Sequence, residues 1–175
     1  TRKESSAASD VYKRQVSGID VVMVDISEAA VQKGVATVSG SLDRLIKKEK
    51  LTEAEKTAAL ARIKTSTDYA ALKGAQLVIE AATENYELKV KILKQLDALL
   101  DADVIVATNT SSISITQLAA VTGRADKFIG MHFFNPVPMM ALVEIIVGLQ
   151  TSDETHATVK ELSERLGKSL SLIHI

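Results

Sequence analysis

Short apolar runs alternate with helix-patterned segments along most of this chain, and that alternation limits the folds open to it. The runs are IDVVMVD (19–25), AQLVIEAA (75–82), DVIVATNTSS (103–112), KFIGMHFF (127–134) and LVEIIVG (142–148). Each is short and apolar at consecutive positions, as expected of strands covered on both faces. Between the first two runs, Val31, Val35, Val38, Leu42 and Leu45 recur at steps of four and three, which is a helical stripe. Thr52 and Glu55 have capping-box spacing at the head of LTEAEKTAALARI. YELKVKILKQLDALL (86–100) is amphipathic, Ser114 with Gln117 caps a short helix through ITQLAAV, and SDETHATVKELSERLG (152–167) reads as a closing helix. Strand and helix in turn predict an α/β fold with a parallel sheet covered by helices.

In open sheets of this kind ligands bind beyond the carboxyl ends of the strands. Asp25, Glu84, Asn109 to Ser112, and His132 with Asn135 all fall at or just past such ends. The 175 residues suit one domain, and 46% hydrophobic against 25% charged is a globular rather than a disordered balance. A net charge of −1, no basic stripe, three Phe, three Tyr and no Trp argue against nucleic acid. The absence of cysteine excludes disulfides, a thiolate nucleophile and cysteine-held metal. His132, His156 and His174 are too scattered for a zinc site, so no metal is expected. No apolar run approaches the ~20 residues of a membrane span, and no signal-peptide block is visible. The expectation is a soluble, cytoplasmic domain with no membrane partner.

His132 and Glu144 carry the most chemistry. Imidazole suits a general base near neutral pH, and a carboxylate on its other ring nitrogen fixes the tautomer and stabilises the imidazolium. Glu144 shares a strand face with Leu142 and Ile146, so it should be partly buried and in need of a partner. The alternative is a core histidine, with Glu144 paired to a lysine or arginine elsewhere. Ser111 and Ser112 could hold a substrate oxygen or simply bond their own turn. Asp25 can accept from both hydroxyls of an adenosine ribose and would repel a 2′-phosphate, which favours NAD over NADP. Ser41 and Lys48, seven residues apart beside the apolar stripe of one helix, could grip a phosphate-bearing ligand or form a solvated flank.

Together VVMVD, LVIEAATENYELK, VIVATNTSSISIT and GMHFFNPVPMMALVEII resemble the NAD-binding domain of the L-3-hydroxyacyl-CoA dehydrogenases, especially the bacterial 3-hydroxybutyryl-CoA type. The resemblance runs from about Val16 to Lys168, and HFFNP with a glutamate twelve residues past its histidine is its most specific part. It implies a Rossmann-like, doubly wound, mostly parallel sheet. It implies NAD as cofactor, an acyl-CoA substrate, and reversible oxidation of a (S)-3-hydroxyacyl-CoA to the 3-ketoacyl-CoA. By the same resemblance His132 is the base and Glu144 orients it. Ser111 bonds the substrate oxygen at C3, and Asn135 helps to hold substrate and cofactor. Ser111 and Asn135 also count among the cofactor contacts. Asp25 meets the adenosine ribose, Glu84 and Lys89 line the nicotinamide side, and Ser41 and Lys48 contact coenzyme A. The parent would be a homodimer through a C-terminal helical domain.

The two ends depart from that pattern. A G-x-G-x-x-G loop is expected ahead of Asp25, yet residues 1–15 contain no glycine and Gly18 is too close. Residues 1–15 therefore read as a non-native leader, 16–168 as the truncated NAD-binding domain, and 169–175 (SLSLIHI) as a non-native tail. The first strand, glycine loop and C-terminal domain are expected to be missing, and such a chain should bind NAD poorly and turn over little. Two other readings remain: a related NAD-dependent hydroxy-acid or sugar-acid dehydrogenase, and a non-catalytic fragment.

Overall fold

A chain with this alternation should build parallel strands joined by helices. The computed structural model, which describes residues 18–135, 137 and 140–174, does so in two compact units. The leader expected at 1–15 lies outside the described residues.

The first unit runs to Ala71 and takes in 135–140. Strand β1 (Val21–Val24) leads to helix α1 (Glu28–Ile46), then α2 (Glu53–Ala61) and β2 (Ile63–Ser66), which returns parallel to β1 with Val21 opposite Ile63. Ser27 starts α1 from an extended backbone, its hydroxyl accepting from the Ala30 N–H, and Glu28 suits the positive helix end. The Thr52–Glu55 capping box at α2 forms as expected. Val21, Met23, Val38, Leu42, Leu51 and Ala59 make the core of this unit. Val38 and Leu42 are fully enclosed, each contributing about 1.5–3 kcal/mol.

Two details differ from the sequence pattern. Helical periodicity predicts α2 through Ile63, but the helix ends at Ala61 and residues 63–66 form β2. IKTS has a single apolar residue, so it is a strand by virtue of pairing with β1 rather than by its own composition. Helix α1 also stops at Ile46, with Glu49 in the left-handed region at φ 55°, so Lys48 lies in the turn beyond it.

The second unit contains β3 (Leu77–Glu80), α3 (Tyr86–Leu99), β4 (Ile105–Thr108), α4 (Ile115–Ala119), β5 (Phe128–Phe133), β6 (Leu142–Val147), α5 (Asp153–Arg165) and β7 (Ser169–His174). Its sheet has the order β3-β4-β5-β6-β7. Strands β3, β4 and β5 are parallel, β6 runs antiparallel to β5, and β7 is parallel to β6. The mostly parallel α/β architecture is the one expected, with one reversal. A parallel crossover needs a dozen or more residues, and 134–141 provide too few, so β6 must come back antiparallel.

All four residues of β4 are buried, as befits a strand with neighbours on both sides. Gly130 on β5 is needed for packing: a Cβ there would lie 2.8 Å from Ile115 Cδ1 and from Ile146 Cβ. Residues 169–174, within the stretch 169–175 read from sequence as a non-native tail, form an edge strand of six residues against β6. The alternation in SLSLIH satisfies the strand period whatever its origin.

Candidate active site

Strands β5 and β6 bring the first two candidates together. In their antiparallel register His132 stands directly opposite Glu144, and directly paired residues project on the same face about 4.5–5.5 Å apart at Cβ. The His132 Nδ1 is 2.8 Å from Glu144 Oε2. A carboxylate oxygen accepts, so Nδ1–H is the donor in this bond and Nε2 stands outside it. Both side chains are partly exposed, and the Phe134 ring lies 4.8 Å from the imidazole, tilted by 52°. Glu144 therefore sits among Val143, Ile145 and Ile146 because the register puts it across from an imidazole.

The end of β4 supplies the next group. Ser111 is exposed, and its backbone N–H donates to Glu84 Oε1 at 3.4 Å, while Thr110 Oγ1 donates to Glu84 Oε2 at 2.7 Å. Thr110 in turn accepts from the N–H groups of Ser112 and Ile113, closing the turn. Asn109 links this turn to the histidine strand: its Oδ1 accepts from the Phe133 N–H at 3.2 Å, one residue past His132. The backbone ladder pairs Thr108 with Gly130, and the Asn109 side chain extends that attachment toward the site.

Among the described residues no cluster of three or more His, Cys, Asp or Glu could hold a metal. No helix of the described part is long and apolar enough to cross a membrane. With the geometry in place, comparison with known proteins is decisive: residues 9–173 match the family described as 3-hydroxyacyl-CoA dehydrogenase, NAD binding domain. The chain belongs to this family. It is 46% identical over 157 residues to a 3-hydroxybutyryl-CoA dehydrogenase of Bradyrhizobium diazoefficiens, covering 90% of this chain and 54% of that protein. It is 41% identical over 158 residues to the fatty acid oxidation complex subunit alpha of Acinetobacter baylyi, covering 90% of this chain and 22% of the relative. The crystal structure of (S)-3-hydroxybutyryl-CoA dehydrogenase from Ralstonia eutropha superimposes with a TM-score of 0.95 at 67% identity, over 97% of this chain and 60% of that one. The chain thus spans about half the length of the 3-hydroxybutyryl-CoA dehydrogenases it matches.

The NAD-binding domain of a hydroxyacyl-CoA dehydrogenase needs an acceptor for the adenosine ribose, and the chemistry of Asp25 fits. It is half-buried at the end of β1, and its Oδ1 accepts from the Ile26 N–H at 2.7 Å. Asp25, Ser41, Lys48 and Asn135 belong to the first unit, whereas Glu84, Lys89, Ser111, His132 and Glu144 belong to the second. Asn135 is exposed.

Two candidates, Ser41 and Lys48, lie elsewhere than their spacing predicts, and a third, Lys89, is enclosed. Ser41 is within the apolar stripe rather than beside it: it is 6% exposed, donates to the Thr37 carbonyl at 3.0 Å and accepts from Arg44 Nη2. Lys48 is exposed in the turn after α1, so helical eclipsing with Ser41 does not apply. Lys89 is fully buried, its ammonium bonded to the carboxylate of Glu80 and to Thr108 Oγ1.

The Lys89 partners Glu80 and Thr108 are not among the residues that the sequence singles out. The signal was there: Lys89 precedes Ile92, Leu93 and Leu96 by three, four and seven residues, so it lies on the buried face of α3. A lysine on such a stripe must find an acceptor inside.

Proposed function

We propose that this domain serves the NAD-dependent, reversible oxidation of a (S)-3-hydroxyacyl-CoA, 3-hydroxybutyryl-CoA foremost, to the 3-ketoacyl-CoA. The observation that supports it most is the 2.8 Å bond between His132 Nδ1 and Glu144 Oε2 at a directly paired register position. It leaves His132 Nε2 as the base for the 3-hydroxyl proton, and the charge then formed on the ring faces the Glu144 carboxylate. In the reverse direction the imidazolium returns that proton to the oxygen at C3. The Ser111 hydroxyl donates to the same oxygen, and Asn135 assists in holding the substrate.

NAD, when bound, supplies the hydride acceptor. Asp25 would take its adenosine ribose, and Glu84 would border its nicotinamide side. Ser41 and Lys48 remain the residues proposed for coenzyme A through the resemblance, although burial of the Ser41 hydroxyl leaves Lys48 the more accessible of the two. Assembly of the whole protein as a homodimer and a cytoplasmic location complete this reading.

The test is acetoacetyl-CoA-dependent oxidation of NADH. Residues 16–168 would replace the matching part of the Bradyrhizobium relative, with His132→Gln alongside. Turnover that collapses about a hundredfold or more in the variant assigns the base. A folded, NADH-binding chimaera without turnover would sink the acyl-CoA assignment and direct the search to other hydroxy acids.

A further inference from the structure

Where β3 and β4 end, three polar side chains are closed off from water: Glu80, Lys89 and Thr108. Lys89 crosses from α3 to bond the Glu80 carboxylate and donates to Thr108 Oγ1 at 3.1 Å. Thr108 donates its own proton to Glu80 Oε2 at 2.8 Å. The other Glu80 oxygen, Oε1, accepts from the Ala82 N–H at 2.8 Å. A buried ion pair of this kind adds little net stability, because desolvation offsets the attraction, and apolar side chains of similar volume would fill the space as well.

The direction of these bonds explains more than their number. Ala82 lies in the segment 81–85, which joins β3 to α3, carries Glu84 and ends in Asn85, the N-cap of α3. Glu84 is the residue that receives Thr110 Oγ1 and the Ser111 N–H. Thr108 lies three residues before Ser111 on the same strand end. The Ser111 turn is therefore held from two sides: along β4 through Thr108, and across from β3 through Ala82 and Glu84. Both routes begin at the one buried cluster.

We infer that Glu80, Lys89 and Thr108 are positioning residues that set the Ser111 turn for its contact with the substrate oxygen, an inference that rests on the role of Ser111 proposed above.

The test uses the isotope-labelled 175-residue chain and reads the backbone amide signals of Ala82 and Ser111 together with their exchange with solvent. Thr108→Val removes the hydroxyl at constant shape, Thr108→Ser restores it, and the double variant Glu80→Gln/Lys89→Met removes both charges at once. Ser163→Ala, which deletes a buried hydroxyl on α5, is the control. Thr108→Val and the double variant should shift both amides and speed their exchange roughly three- to tenfold. Thr108→Ser should restore both signals, and Ser163→Ala should leave them in place. A Ser111 amide that stays unmoved in Thr108→Val while that variant remains folded overturns the inference. Should the double variant not fold, the two Thr108 variants decide alone. Because no turnover is needed, moved amides alongside an inactive chimaera would uphold the brace and fail the dehydrogenase reading instead.

Discussion

The second unit holds two acid–base pairs built from the same chemistry and placed in opposite surroundings. At the β3–β4 end, the Lys89 and Glu80 side chains are 0% and 2% exposed, and their polar atoms are shared with Thr108 and the Ala82 N–H. At the β5–β6 end, His132 and Glu144 are 19% and 27% exposed. The first pair is enclosed, with its partners in place. In the second, the bond to Glu144 engages Nδ1, and both side chains reach solvent. Burial, more than residue type, separates the two pairs, and the proposed roles, a brace for one and acid–base work for the other, rest on that difference.

The largest effect should follow from breaking the enclosed pair asymmetrically. Lys89→Met leaves the Glu80 carboxylate buried without its cation, and urea unfolding should show a loss of about 3–5 kcal/mol. Adding Glu80→Gln removes the orphaned charge while keeping an acceptor for Ala82, and most of the loss should be recovered. Equal losses in the single and double variants would mean that the orphaned Glu80 charge is not what costs stability, and the contrast between the two pairs would vanish.

His132→Gln should show the reverse profile. The stability change should stay within about 1 kcal/mol, because the pair is partly solvated. Turnover of acetoacetyl-CoA by the chimaera should fall about a hundredfold or more. Glu144→Gln, which keeps an oxygen near Nδ1 and loses the charge, should fall less far than His132→Gln. A His132→Gln protein that unfolds as readily as Lys89→Met would make this histidine a core residue.

Gly130→Ala examines the strand that carries the histidine. The added Cβ would meet Ile115 and Ile146 at 2.8 Å, so a loss of about 1–3 kcal/mol is expected from overpacking. A neutral result in thermal unfolding would show that α4 can shift away from β5, and that the histidine strand is less rigidly seated than the β4 turn.

Most strands and helices were legible because each carries its own pattern: consecutive apolar residues for β3 to β6, a stripe or cap for α1 to α5. The exceptions depend on partners. IKTS becomes β2 only against β1, and SLSLIH becomes β7 only against β6. The His132–Glu144 pair was legible from chemistry, yet the antiparallel register that creates it follows from the shortness of 134–141, a length that composition alone does not bring out. Glu80 and Thr108 were missed because an acid and a threonine at strand ends are ordinary; only the position of Lys89 on the apolar face of α3 pointed inward. Ser41 misled in the opposite sense, since a serine can join a buried stripe by bonding the carbonyl four residues back.

A third pair lies between the two extremes and gives the smallest expected effect. Arg124 closes the end of α3, its Nε on Asp97 Oδ1 at 2.7 Å and its other nitrogens on the carbonyls of Asp97, Leu100, Asp101 and Val104. Partial burial pushes the Asp97 carboxyl up, but the Arg124 hydrogen bond, the Gly123 N–H and the Arg124 charge outweigh it and hold the group below its ordinary 3.8. A carboxyl depressed on folding adds stability above its unfolded value and loses it as pH falls through the lower folded one. Asp97→Asn keeps an acceptor for Arg124 and removes the charge. It should cost about 1 kcal/mol at neutral pH, and the gap from the parent chain should close as pH drops below 3.8. A gap that persists unchanged into acid would show that Arg124 is held by the carbonyls of α3 and the following turn, with the Asp97 charge contributing nothing.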